Sequence, residues 1–186
     1  MTNYYRLHDK NPVDVPSRWY LKGPIGVDGK EIDARRFNSG RRLDIVGPVR
    51  ILIRQAGPLM DFTLADFDMP VVRRSVADTL QVVAGQDIQR FPATVDGMPG
   101  GYDIINILPS IPCLDETRSE VTRWPYDPKM PDRAGKYLTV SNIRIRPELV
   151  DGHRIFRIAG WRPAIIVSAD VKEAIKGATG TVLEPV

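Results

Sequence analysis

"MPVVRRSVADTLQVVAGQDIQRFPATV", residues 69–95, returns near the C-terminus as "WRPAIIVSADVKEAIKGATGTVLEPV", residues 161–186. Each phrase has a proline, a short apolar run, a serine, a helix-like stretch and an apolar run that ends on a second proline. Pro70, Ser75 and Pro92 answer to Pro163, Ser168 and Pro185, at intervals of five and seventeen residues both times. In the second phrase Val171, Ala174, Ile175 and Ala178 form an i, i+3, i+4, i+7 stripe. In the first, Val76, Leu80 and Val83 form an i, i+4, i+7 stripe. Both are helical periods. Each follows a serine with an acidic residue close behind, Ser75 with Asp78 and Ser168 with Asp170, the chemistry of an N-cap and a first turn. Helices are therefore predicted near 75–84 and 169–177, each laid on a sheet. Gly85 would end the first, and Gly177 or Gly180 the second. The stripes sit two positions apart relative to the proline anchors, so the repeat is imperfect.

Outside these phrases the chain is short runs punctuated by turn residues. "RWYLK" (18–22), "RRLDIVG" (41–47), "RILIRQ" (50–55), "YDIINILP" (102–109), "SEVTRW" (119–124), "KYLTVSNIRI" (136–145) and "RIFRIAGW" (154–161) read as strands. Asp28-Gly29 reads as a hairpin turn. "GMPGG" (97–101) and "KGATG" (176–180) read as turns that precede strands. The stretch 123–136, with its prolines, Trp124 and Tyr126, has no periodicity and reads as a loop. The predicted class is α+β: strand-rich, mostly antiparallel sheet, few helices, with an imperfect internal strand–helix–strand repeat. A chain of 186 residues is expected to be one domain, or two packed halves, about 1–95 and 96–186.

Composition bounds the rest. Cys113 is the single cysteine, which excludes an internal disulfide and a cysteine-rich zinc site. The N-terminal residues "MTNYYRLHDKNPVDVP" lack the pattern of a signal peptide, and no apolar run is long enough for a membrane span. A cytoplasmic protein without a membrane partner is the expectation. The net charge of +3 permits a nucleic-acid partner without arguing for one.

Few residues are arranged for chemistry. His8 and His153 stand in unrelated settings without metal-ligand spacing. Cys113 is followed by Asp115 and Glu116, which oppose thiolate formation, so a buried or inert thiol is expected. Asp66 and Asp68, at strand spacing, would point to the same face and could hold a hard cation, but no third ligand accompanies them. Arg35, Arg36, Arg41, Arg42, Arg50 and Arg54 form the densest basic stretch. It reads first as a solvated or ion-paired face and second as a contact for phosphates. No catalytic residue, metal or cofactor is assigned, which favours a protein that binds over one that catalyses. The surface singled out for a partner is acidic and aromatic: Asp115, Glu116 and Glu120, followed by Trp124 and Tyr126. Acidic groups suit a partner whose own cleft is basic, and large aromatics suit interface anchors.

Three further phrases carry a resemblance. "YDIINILPSIPCLDETRSE" supplies Tyr102, Asn106, Ile107, Leu108, Cys113, Asp115 and Ser119; "HRIFRIAG" supplies His153, Phe156 and Arg157. The closing phrase supplies Val167, Ser168, Gly180, Leu183, Pro185 and Val186. In this order, across roughly residues 65–186, they resemble the Imm11 immunity proteins of bacterial polymorphic toxin systems. The resemblance implies a protein that binds a cognate toxin, delivered by a contact-dependent or type VI secretion system, and blocks it by stoichiometric occlusion. It carries over no enzymatic residue. Two other readings stand beside it. One is a nucleic-acid-associated or regulatory protein using the Arg35–Arg54 stretch. The other is a small enzyme with a metal on Asp66 and Asp68.

Overall fold

The two proline-framed phrases fold as two strand–helix–strand units. The computed structural model describes residues 3–9 and 19–186. The N-terminal half contains β1 (Tyr4–Asp9), β2 (Tyr20–Ile25), β3 (Val49–Gln55), β4 (Phe62–Ala65), β5 (Met69–Arg73), α1 (Arg74–Ala84) and β6 (Ile88–Val95). The C-terminal half contains β7 (Tyr102–Ile107), β8 (Ser110–Ile111), β9 (Glu120–Arg123), β10 (Tyr137–Ser141), β11 (Ile155–Ile158), β12 (Trp161–Ser168), α2 (Ala169–Ile175) and β13 (Thr181–Pro185). The chain is a strand-rich α+β protein, as its turn-punctuated sequence predicts. The six-stranded sheet has the order β2-β3-β6-β7-β5-β4, the five-stranded sheet β13-β1-β12-β11-β8, and β9 and β10 form a separate pair. Among the described residues parallel pairing is confined to β3–β6 and β8–β11.

The units share one topology. β5 and β6 both pair antiparallel with β7, which lies between them. β12 and β13 both pair antiparallel with β1, which lies between them. Within each unit the two strands therefore run parallel, so the chain must cross over, and the helix is the crossover. The two-position offset of the apolar stripes has its cause here. After its proline, β5 runs only to Arg73 before α1 begins, whereas β12 runs to Ser168 before α2 begins. The second strand is two residues longer in the frame of the repeat, and its helix starts two residues later.

One apolar cluster joins both helices to one face of each sheet. It holds Val76, Leu80 and Ala84 of α1, Val171 and Ile175 of α2, and Ile105, Ile107, Ile155 and Ile165 from the strands. The opposite face of the six-stranded sheet packs under the segment that follows β2, through Ala34 and Phe37. The opposite face of the five-stranded sheet packs under the segment between β8 and β11. A clasp ties the units together at Asp61. Its carboxylate accepts from Thr179 N at 2.9 Å, Thr179 Oγ1 at 2.8 Å and Arg73 Nε at 2.9 Å. Beside it Gly180 takes φ +90, and an added Cβ would stand 2.2 Å from the Phe62 carbonyl oxygen, so only glycine fits.

Three local expectations are corrected. Residues 41–47 are not a strand. The Leu43 backbone is matched on both sides by one side chain: its N–H donates to Gln89 Oε1 at 2.9 Å and its carbonyl accepts from Gln89 Nε2 at 2.7 Å. A side-chain amide that satisfies both groups removes the need for a strand partner. Ser75 is not a cap, because α1 starts at Arg74 with no side-chain cap, and Asp78 pairs with Arg90 at 2.8 Å instead. Ser168 does cap α2, accepting from Val171 N, with Asp170 in the first turn. Residues 142–145, read as a strand continuing β10, leave it at Asn142, whose φ of +47 turns the chain; Ile145 rejoins by a single bridge to Leu114. Asp28-Gly29 makes the predicted tight turn, with Gly29 at φ +77 and a bridge between Ile25 and Glu31.

Candidate partner surface

The long segment between β8 and β11 builds a lobe from apolar residues that need cover. Cys113, Leu114, Val140, Ile143, Ile145 and Val150 pack on Tyr4, Ile111, Phe156, Ile158, Ala164 and Ile166 of the sheet. Backbone bonds fix its base, Asp115 N to Arg144 O at 2.9 Å and Arg146 N to Cys113 O at 2.8 Å. On this base β9 and β10 pair antiparallel, with a bulge between Tyr137 and Thr139. The apolar side of the lobe is spent on the sheet, which leaves its polar residues outward.

The predicted partner residues all lie on this lobe, in different states. Asp115 bonds within its own turn: Oδ1 accepts from Thr117 Oγ1 at 2.7 Å and from Thr117 N at 3.1 Å. The hydroxyl bond holds its carboxyl below the usual range, against the upward push of burial. Glu116 accepts from Tyr137 Oη and from Arg123 Nη2, both at 2.6 Å, and these bonds hold it low as well. Glu120 accepts from Ser141 Oγ at 2.8 Å and Asn142 Nδ2 at 2.6 Å. Arg123 pairs with Tyr137 in the β9–β10 register and Glu120 with Ser141, which puts the two glutamates at opposite ends of the hairpin, about 10 Å apart. Both are exposed, so they present charge to solvent at fixed positions. Trp124 is half-buried, with the Arg133 guanidinium 5.1 Å from its ring. Tyr126 projects freely at 74 % exposure.

Other candidate groups are engaged in the architecture. Cys113 is fully buried, and burial pushes its thiol up to about 11. His153 Nδ1 lies 2.7 Å from Asp87 Oδ1, and Asp87 also accepts from the backbone N–H groups of Arg154 and Ile155. Asp87, which the sequence did not single out, is thus a buried hub joining the end of α1 to β11; its only signal was the turn residues Gly85 and Gln86 before it. His8 Nε2 lies 3.4 Å from Glu184. Asp66 and Asp68 are not at strand spacing. They flank Phe67 in a 3-10 turn, with Phe67 at φ 58 and Asp68 at φ 56. Asp66 pairs with Arg54 at 2.8 Å, whereas Asp68 faces Arg157, and burial pushes its carboxyl up against that cation's pull. The basic stretch divides: Arg50 pairs with Asp96, Arg54 with Asp66 and Arg35 with Asp33, whereas Arg36, Arg41 and Arg42 are exposed without ion pairs among the described residues.

The residues of the phrases that carry the resemblance serve the frame. Asn106 is fully buried and donates to the Arg41 carbonyl at 2.8 Å. Ser119 Oγ both donates to Arg144 O and accepts from Arg144 N. Arg157, 1 % exposed, donates to the carbonyls of Arg162 and Asp68. Its setting explains why β11 has no clear inside and outside in sequence, since Ile155, Phe156, Arg157 and Ile158 are all buried. No curated protein matches the chain. The model of the Imm11 immunity protein family does match, over residues 95–185. That span holds β7 to β13, with the lobe, the Asp87-bound His153 and the Ser168 cap's helix, and over it the chain matches the Imm11 immunity protein family.

Proposed function

We propose that this protein binds one cognate bacterial toxin and neutralises it by stoichiometric occlusion, with no chemistry of its own. The family match over residues 95–185 carries the reading. The absence of turnover is supported by the engagement of the candidate groups, Cys113 in the core, His153 on Asp87 and Asp66 on Arg54. The toxin belongs to a polymorphic system delivered by type VI or contact-dependent secretion, and the protein meets it in the cytoplasm. Glu116, Glu120, Trp124 and Tyr126, with Asp115 bracing their turn, form part of the contact face. Fixed carboxylates steer a basic toxin cleft, and a projecting tyrosine contributes area at low entropic cost. A contact of ordinary size, about 1,600 Å² in total, is sufficient.

The test is co-expression with the toxin domain encoded by the adjoining gene, together with titration calorimetry. Wild type is expected to protect cells and bind one to one. Glu116→Gln, Glu120→Gln and Tyr126→Ala combined should weaken binding about 100-fold at unchanged melting temperature, since glutamine still accepts the local hydrogen bonds. A triple variant that binds and protects as wild type does would remove this lobe from the contact face. Failure of the wild type to protect would remove the immunity role.

A further inference from the structure

Phe67 is half exposed, at 50 %, and sits at φ 58, ψ 40. Asp68 follows at φ 56, so two consecutive non-glycine residues are left-handed. That conformation suits glycine or asparagine and is rare for an aromatic. The surrounding groups enforce it. Asn38, 8 % exposed, donates to the Phe67 carbonyl, and Arg157, buried between the sheets, donates to the Asp68 carbonyl at 2.8 Å. Asp66 is pinned from both sides, accepting from Gly23 N at 3.1 Å and Arg54 at 2.8 Å. Two buried polar side chains are thus committed to a corner that holds an apolar ring out in water. The ring is absent from the apolar core clusters. Strain kept in place by its surroundings is characteristic of sites that a ligand or partner uses.

The ring is also dressed for recognition. The Arg35 guanidinium lies 3.8 Å from its centroid, and aromatic and arginine side chains are the commonest interface anchors. A groove of about 560 Å³ runs beside it, with Ile25, Ile32 and Leu52 in its lining. Of the charged groups that line the groove or adjoin Arg35 in sequence, Lys22 and Arg36 form no ion pair among the described residues, against Glu31 of opposite sign. The unpaired charge is therefore mostly positive. We propose that Phe67, with Arg35 stacked on it, is the anchor this chain inserts into an apolar socket rimmed by carboxylates on its toxin partner. The proposal rests on the immunity reading and adds a contact to it. Arg157 links the corner to the Arg162 carbonyl at the start of β12. In the turn just before, Gly160 lies against the Tyr137 ring, where an added Cβ would stand 3.0 Å away. The knob and the lobe thus border the same turn.

Phe67→Gly separates anchor from fold, because it removes the ring and relaxes the backbone together. The full chain carrying it should melt at or above the wild-type temperature, yet bind the toxin domain encoded by the adjoining gene about 100-fold more weakly. Arg35→Ala should weaken binding about 10-fold. Phe67→Asn, which also tolerates left-handed φ, repeats the test. If both Phe67 variants melt below wild type, the ring is a fold element and the proposal fails. If they are stable and bind as wild type does, the anchor fails while the immunity role stands. Wild-type protein that neither binds nor protects overturns both. A single-stranded oligonucleotide serves as the second probe: binding to it that is lost in Phe67→Gly would make the ring a base-stacking platform and overturn the protein socket.

Discussion

Cys113 illustrates how little a residue's type decides by itself. Its acidic neighbours in sequence argue against a reactive thiolate, but burial is what raises the thiol: the side chain lies fully inside the core between lobe and sheet. With its thiol pushed up to about 11, it is expected to resist a thiol-labelling reagent at about pH 8 in the native protein and to react fully in denaturant. Native labelling at the rate of a free thiol would mean that the lobe opens from the sheet. Arg157 is the opposite case. Its type says surface, yet it is buried, and burial pulls its guanidinium down to about 10. It is retained there by the carbonyls it satisfies, since an unpaired buried cation would be far costlier.

At the scale of elements, the two split strand–helix–strand units differ in which helix residues carry the packing. Val171 and Ile175 of α2 are buried, whereas Ala174, part of the same predicted stripe, is exposed and Ala178 is half-buried. The apolar stripe is narrower than its sequence, because α2 is only seven residues long and leans on α1 along one edge. Ile175→Asp should therefore cost about 3 kcal/mol or more, and Ala174→Asp should stay within about 0.5 kcal/mol of wild type. Thermal melts of the pair check this. Equal melting temperatures would mean that α2 does not dock through Ile175.

The whole molecule depends on contacts far apart in sequence, and the clasp of Asp61 on Thr179 and Arg73 is the clearest. Burial works to raise the Asp61 carboxyl, but the bonds from Thr179 and the pair with Arg73 outweigh it and hold it below the usual range. A depressed carboxyl contributes stability above its unfolded value, about 3.9, and loses it as pH falls through the folded value. Asp61→Asn should thus destabilise by about 1 kcal/mol at neutral pH, and the gap to wild type should close in acid, below the unfolded value. Melting both proteins across pH tests this. A gap independent of pH would mean that packing, and not charge, makes the clasp.

Local pattern was enough for the α+β class, the two serine-containing helical phrases, the capping role of Ser168 and the likeness to the Imm11 family that the match over residues 95–185 bears out. These were legible because they rest on period, local capping chemistry and ordered phrases, all properties of neighbouring residues. It also marked the lobe residues, though not their hydrogen-bond partners. That β7 and β1 enter the two repeats from elsewhere in the chain is visible in the fold alone, since strand order depends on pairing across many residues. It likewise decided that residues 41–47 are satisfied by Gln89, that Arg157 is buried, and that Phe67 is turned out on a left-handed corner. Each of these is set by a group distant in sequence that satisfies a backbone carbonyl or amide, and no local pattern records such a partner.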